Sequence, residues 1–259
     1  MRLDGKSILI VGGTTGMGLS AARACAAEGA QITIVGRDEA TTASAVRELG
    51  SKVAFLTGDA VEPSIAVAAV RLAVERFGRL DGLYHVAGGS GRSRGDGPLH
   101  EVSDEGWDYT LELNLKSVFY SNRAAVRQFL AQGSGGVVLN LGSVVAGSPS
   151  PRYFATHSYA AAKAAIEGMS RACAAYYAKR QIRVNVIAPG SIETPMSRRA
   201  AGDPQIREFL ARKQPLDGGR MGQPEDLNEA VVYLLSDGAK FVTGQVLSID
   251  GGWSVSEGG

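Results

Sequence analysis

The amino-acid sequence predicts an α/β protein in which a doubly wound, mostly parallel sheet carries helices on both faces within a single domain. Three observations lead there. Short apolar runs alternate with Ala-rich, helix-forming stretches along the chain. A glycine-rich turn, Gly12-Gly13-Thr14-Thr15-Gly16-Met17-Gly18, joins the first apolar run to the first helical stretch. The 259 residues, 44% apolar and 20% charged, suffice for one core at the large end of the single-domain range, and no linker, repeat or low-complexity tract divides residues 1–259.

Ser7 to Val11 is the first expected strand. The glycines after it let the backbone approach a bound phosphate, and the helix that follows, up to Glu28-Gly29, offers free amides and the positive end of its dipole. The spacing is G-x-x-x-G-x-G rather than the G-x-G-x-x-G of the standard dinucleotide fingerprint. A tight strand-to-helix turn alone would also need glycines, but its place at the start of the alternation favours nucleotide binding. The pattern continues with strand Gln31 to Val35, helix Glu39 to Leu49, strand Val53 to Leu56, helix Pro63 to Phe77 and strand Leu83 to Val86. A Gly- and Arg-rich loop, Gly88 to Pro98, precedes a long helical segment with Ser103 as N-cap, Asp104 and Glu105 in its first turn, and Asn114 further along. Strand Gly136 to Leu141 runs into Gly142-Ser143, and a helix containing Tyr159 ends near Lys179. Strand Arg183 to Ile187 is closed by Pro189-Gly190. Ser191 to Leu216 mixes Pro, Gly and Met with a charged helical piece, as expected of a lid over the end of a sheet. A helix opening at Pro224-Glu225-Asp226 and a strand at Gln245 to Ile249 bring the count to seven strands.

The formal net charge is +1 with Lys and Arg spread along the chain, which argues against nucleic acid as a partner. No run of about 18 apolar residues is present and the first strand begins within a few residues of Met1, so neither a membrane span nor a signal peptide is expected, and the reading is a cytoplasmic protein. Cys25 and Cys173 lie in helical sequence, outside any CxxC, and are expected to be reduced, buried packing residues. His85, His100 and His157 lack metal-ligand spacing, and no metal site is expected.

The chemistry centres on Ser158-Tyr159-Ala160-Ala161-Ala162-Lys163. In so strong a helix former, residues four apart share a face, so Tyr159 and Lys163 point the same way. A nearby cation favours the phenolate, which is expected to lower the Tyr159 pKa toward neutrality. Ser143, at the end of a strand, is placed to give a hydrogen bond to a substrate oxygen beside the Tyr. Alone, each residue also fits an ordinary helix surface or turn.

With Gly12-x-x-x-Gly16-x-Gly18, Asp59-Ala60, Ala87-Gly88, Asn114, Ser143, Tyr159-x-x-x-Lys163, Pro189-Gly190 and Asp250-Gly251-Gly252 in that order, the chain from Leu3 to Gly252 resembles the short-chain dehydrogenase/reductase family. The resemblance implies a Rossmann-like domain and an oxidoreductase that transfers a hydride between a nicotinamide cofactor and a carbonyl or secondary alcohol. Tyr159 would be the general acid or base, Lys163 would lower its pKa and hold the nicotinamide ribose, Ser143 would polarise the carbonyl, and Asn114 would keep an ordered water in a proton relay. Gly12, Gly16 and Gly18 would surround the pyrophosphate, Asp59 and Ala60 the adenine, and Pro189, Gly190, Ile192 and Thr194 the nicotinamide carboxamide; Met17, Ala87 and Gly88 would also contact the cofactor, as would Thr14 and Thr15, which supply hydroxyls where some NADP-dependent relatives carry an additional base. Local capping or turn roles for Asp59, Asn114 and Thr194 stay open. So does a non-catalytic dinucleotide-binding regulatory protein on the same fold, or an NAD-dependent alcohol dehydrogenase. An enoyl reductase would space its Tyr and Lys more widely, and an acyl-carrier-protein reductase would carry an Arg near Ala175.

Two positions depart from the family pattern: Val11 stands where Thr is usual and Val86 where Asn is usual, and packing between the two is expected to replace a polar tether. Substrate contacts are sought in Ser90 to Leu99, Val145, Tyr153, Phe154, Ser191 and Met196, with Arg92 and Arg94 open to either a solvated loop or an anion contact. Small and apolar residues beyond one buried face, including Phe119, Tyr120, Ala164, Ala165 and Met169, can pack against a partner, and the family resemblance implies a homotetramer of closed symmetry. The second strand ends Ile34-Val35-Gly36 without the acid that receives a ribose 2′-hydroxyl, and Arg37 follows, which favours NADP(H) over NAD(H), with Asp38 a partial offset.

Overall fold

A computed structural model describes residues 1–50 and 53–258. Among them, seven strands form one parallel sheet: β1 (Ser7–Val11), β2 (Gln31–Gly36), β3 (Val53–Thr57), β4 (Gly82–His85), β5 (Gly136–Leu141), β6 (Ile182–Pro189) and β7 (Val246–Ile249). Their order is β3-β2-β1-β4-β5-β6-β7. The chain therefore builds outward from β1 in one direction and, after β3, from β4 in the other. Such a reversal leaves a crevice beyond the strands' carboxyl ends, between β1 and β4. β1 is buried along its whole length, as its unbroken apolar sequence demands of a strand covered on both faces.

The helices are α1 (Gly16–Ala27), α2 (Glu39–Leu49), α3 (Pro63–Phe77), α4 (Asp104–Leu111), α5 (Ser117–Gln132), α6 (His157–Tyr177), α7 (Arg198–Gly202), α8 (Pro204–Lys213) and α9 (Asn228–Leu235). One apolar layer joins Ala21, Ala22 and Cys25 of α1 and Val231, Val232, Leu234 and Leu235 of α9 to one face of the sheet. The other joins Ala66, Ala69, Val70 and Ala73 of α3, Ala124, Ala125, Val126 and Phe129 of α5 and Ala174 of α6 to the opposite face.

The long helix expected after Ser103 is divided. Ser103 caps α4 by accepting from the Gly106 amide at 3.0 Å. Glu112–Lys116 then form a wider π-helical turn that holds Asn114, a departure that hydrophobic periodicity does not signal. The expected packing of Val11 on Val86 is corrected. The Val86 and Ala87 amides both donate to the Val11 carbonyl, at 2.8 and 2.9 Å, so the strands are tethered there by backbone. The two side chains belong to different apolar layers, on opposite faces of the sheet. Cys25 is fully buried, and burial pushes its thiol up to about 12, whereas Cys173 is only partly buried. Among the described residues no helix is long and apolar enough to cross a membrane.

Candidate active site

Beyond the carboxyl ends of β1, β2 and β4 lies a cleft of about 550 Å³, lined by Gly12, Thr14, Thr15, Gly16 and Met17 on one side and Ala87 and Gly88 on another. Arg37, Asp59 and Ala60 line one end of it, and Tyr159, Lys163 and Thr194 the other. Backbone crowding explains the glycines. A Cβ on Gly12, at φ +86, would lie 2.6 Å from the Ala87 nitrogen, and one on Gly18 would lie 2.0 Å from the Gly12 carbonyl oxygen. Gly18 thus packs α1 against the turn and does not line the cleft. Thr15, the N-cap of α1, makes no capping bond with its side chain, and no acid occupies the first turn, so the helix amides and dipole face the cleft without a side-chain partner. A glycine-rich passage that ends on helix amides without a side-chain cap fits a dinucleotide pyrophosphate.

At the β2 end, a Cβ on Gly36 would lie 2.3 Å from the Thr14 methyl carbon, so Thr14 closes this position to a side chain. Asp38, the expected offset to Arg37, is engaged elsewhere. It caps α2 through the Thr41 amide at 2.8 Å, and these hydrogen bonds hold its carboxyl below the usual range. Arg37 instead faces Asp59, with 3.6 Å between guanidinium nitrogen and carboxylate oxygen, and remains 68% exposed.

At the other end of the cleft α6 brings Tyr159 and Lys163 to the end of β5. The Lys163 ammonium is buried, donates to the Leu141 carbonyl at 2.7 Å and lies 5.5 Å from the centre of the Tyr159 ring. Burial lowers its pKa to about 8, and among the described residues it forms no ion pair with a carboxylate. The expected depression of the Tyr159 pKa is corrected. Burial pushes the phenol up to about 12, and a hydrogen bond from Ser143 opposes this only in part. The four-residue spacing puts Tyr159 and Lys163 on one helix face, but burial of the phenol decides the direction of its shift.

Asn114 is fully buried behind this pair. Its amide donates to the carbonyls of Gly89 and Thr110, both at 2.9 Å, and its oxygen accepts from the Gly89 amide at 3.0 Å. It clamps the loop after β4 to the π-helical turn. A Cβ on Gly88 would lie 2.7 Å from the Asn114 oxygen and 3.8 Å from the Lys163 nitrogen, which places all three together.

A second cavity, of about 360 Å³, adjoins the first, and Tyr159, Met17, Leu141, Ser90, Thr194 and Met196 line both. Ser143, Pro189, Gly190 and Ile192 line only the second. Of the expected substrate contacts, Arg92, Ser93, Val145, Phe154 and Ser191 are also there. Arg94 is not: it pairs with Glu105 at 3.5 Å and stacks on Tyr109. Leu99 is exposed, and Tyr153 contributes its carbonyl to a neighbouring contact rather than a wall.

Several residues escape the sequence reading. Arg199 and Trp253 line the second cavity from segments distant in sequence. Asp96, buried, accepts from the Ser158 and Tyr159 amides at 3.0 and 3.1 Å and so caps the first turn of α6. Only the strong α6 pattern, with no acid in its own first turn, hinted that an anion would be recruited from elsewhere. Asn140 of β5 pairs reciprocally with Asn122 of α5, at 2.8 and 2.9 Å, and reaches Ser170 of α6 at 3.1 Å.

A family model described as enoyl-(acyl carrier protein) reductase matches residues 11–254. The 2,5-dichloro-2,5-cyclohexadiene-1,4-diol dehydrogenase of Sphingobium indicum is 34% identical over 257 residues, covering 98% of each chain. A solved short-chain type dehydrogenase/reductase from Mycobacterium ulcerans superimposes with a TM-score of 0.91 at 31% identity, over 99% of this chain and 92% of that one. A 3-ketoacyl-(acyl-carrier-protein) reductase from Brucella melitensis, solved in complex with NADH, gives a TM-score of 0.85 at 30% identity, over 98% of this chain and all of that one.

Proposed function

Because the chain belongs to the short-chain dehydrogenase/reductase family, an oxidoreductase family acting on alcohols and carbonyls with a nicotinamide dinucleotide, we propose that it transfers a hydride between NADP(H) and a carbonyl or secondary alcohol, with Tyr159 as general acid or base. One observation carries this reading. Tyr159 stands where the two cavities meet, with Ser143 on the wall of the second cavity and Lys163 beside it.

A bound nicotinamide would supply or take the hydride. The Gly12 to Gly18 turn and the amides of α1 would hold the pyrophosphate, Asp59 and Ala60 the adenine, and Pro189, Gly190, Ile192 and Thr194 the carboxamide. Lys163, largely protonated at neutral pH with its pKa near 8, would donate to a ribose hydroxyl and puts positive charge beside the phenol. Ser143 donates to the substrate oxygen and fixes it next to the Tyr159 hydroxyl. A phenol pushed up to about 12 rests protonated and gives its proton to the alkoxide as it forms, which suits carbonyl reduction. Oxidation needs the phenolate and gains with rising pH. Arg37 supports NADP(H), since one charge-assisted hydrogen bond to a 2′-phosphate is equivalent to about a tenfold to hundredfold preference. Residues 191–216, which carry α7 and α8, serve as the lid. Leu115, Phe119 and Met169 border an open groove between the π-helical turn, α5 and α6, and support association of these faces into a homotetramer.

NAD(P)H consumption across a panel of ketones and aldehydes tests the reading. Tyr159→Phe should bind cofactor nearly as well as the natural protein while kcat falls by at least about 10²-fold to 10⁴-fold. A near-normal kcat would remove Tyr159 from the mechanism, and cofactor binding without turnover of any carbonyl would favour a regulatory dinucleotide-binding protein.

A further inference from the structure

The cavity that holds Ser143 and Tyr159 is lined by two arginines, Arg92 and Arg199, and by no Asp or Glu. They come from segments remote in sequence, Arg92 from the loop after β4 and Arg199 from α7. Both donate from Nη2 to one acceptor, the Tyr153 carbonyl, each at 3.0 Å. Two positive charges, on exposed side chains that also line the cavity, therefore converge on one carbonyl beside it. Among the described residues neither forms an ion pair with a carboxylate. The acid nearest in effect to Arg92 is Asp96, whose two oxygens are occupied by the amides of Ser158 and Tyr159.

We propose that the site selects substrates bearing a carboxylate remote from the reacting carbon, namely compact hydroxy- or oxo-carboxylates, with Arg92 and Arg199 binding the carboxylate. This rests on the oxidoreductase reading above and names its substrate class. A guanidinium has five N–H donors in a planar fork that matches a carboxylate, and each of these arginines uses only one on the protein. A clasp between lid and loop needs no charge, and two like charges sharing one neutral acceptor repel each other. An anion between them turns that repulsion into attraction. Burial and the Arg199 charge already depress the Arg92 pKa, as expected where positive charge is uncompensated. The volume of about 360 Å³ lies toward the small end of ligand cavities, and Val145, Phe154 and Trp253 offer apolar walls for a short carbon frame.

The test uses the full chain with saturating NADPH and the homologous oxo-acids from 4-oxopentanoate to 7-oxooctanoate, each beside its uncharged amide. At least one acid should exceed its amide in kcat/KM by about tenfold to hundredfold, the range of one charge-assisted hydrogen bond. Arg199→Met and Arg92→Met should bring that ratio toward one, and Arg199→Lys, which keeps the charge, should retain part of it. Absence of any preference for an acid, or equal losses on acid and amide in the Met variants, would overturn the proposal. Calorimetric binding of the same pairs to the NADP⁺-loaded protein separates this from the fate of the oxidoreductase reading. If no carbonyl is turned over, tighter binding of an acid that Arg199→Met abolishes still supports the anion site, and equal binding of acid and amide refutes it.

Discussion

Replacing His85 with Asn should change how stability responds to acid by an amount that the surroundings of the ring define. His85 is 1% exposed, with Nδ1 2.7 Å from the Ser121 hydroxyl and Nε2 3.0 Å from the Ala87 carbonyl. A carbonyl can only accept, so Nε2 carries the hydrogen and Nδ1 accepts from Ser121. Burial first, and then the Lys163 charge, lower its pKa to about 3, while the bond to Ala87 opposes them. The unfolded chain titrates this side chain near 6.5. Between these values the unfolded state holds the extra proton, so stability is intact above about 6.5 and falls as pH drops toward 3. From pH 7.5 to 5.0 about 1.5 units of that window are crossed, a loss of about 2 kcal/mol. The Asn variant does not titrate. It should be less stable than the natural protein at pH 7.5, since two buried hydrogen bonds are disturbed, and the gap should narrow by about 2 kcal/mol at pH 5.0. Urea unfolding followed by far-ultraviolet circular dichroism, at fixed protein concentration, measures the gap at each pH. Carboxylates titrate alike in both proteins and cancel. A gap that stays constant would mean that the folded ring protonates as freely as the unfolded one, and the account of burial beside Lys163 would fail.

Two further predictions follow from the proposed function. Arg37→Ala should erase the expected tenfold to hundredfold preference for NADPH in kcat/KM, and Gly36→Asp should weaken both cofactors unless Thr14 is also reduced to Gly, because Thr14 fills that space. Equal use of the two cofactors by the natural protein, or a preference unchanged in Arg37→Ala, would refute the cofactor assignment. Light scattering at micromolar concentration should report a tetramer, and Phe119→Asp should dissociate it; a monomeric natural protein would show that Phe119, 42% exposed, has no partner surface to cover.

Most of the fold was legible because a parallel sheet writes itself into local composition. α2, α3 and β5 begin and end where Pro, Gly and the apolar runs place them. The positions of Tyr159 and Lys163 on one face followed from helix geometry alone. What the sequence hides is contact between distant segments. Neither the Asp96 cap on α6 nor the meeting of Arg92 and Arg199 has a spacing to recognise, since their partners lie 62 and 46 residues or more away. The direction of the Tyr159 pKa shift is hidden for a related reason. Sequence shows the neighbouring cation, but not the burial that penalises the phenolate and depresses the lysine at the same time.

The polar groups around Tyr159 share one electrostatic logic. Lys163 is a buried cation whose visible protein partner is a carbonyl, and its field helps to keep His85 neutral. Asp96 places its carboxylate on the amides of α6, where it offsets the helix dipole and fixes the first turn that carries Tyr159. Arg92 and Arg199 add positive charge on the far wall. Under the proposed reaction a cavity so biased would favour negative charge at two places: on the substrate oxygen as it becomes an alkoxide beside Ser143 and Tyr159, and on the proposed carboxylate. Preorganised donors of this kind act most strongly where water is excluded. The proposed reaction therefore calls for a reluctant phenol: with its pKa held near 12, Tyr159 keeps its proton until an alkoxide of higher basicity forms against it.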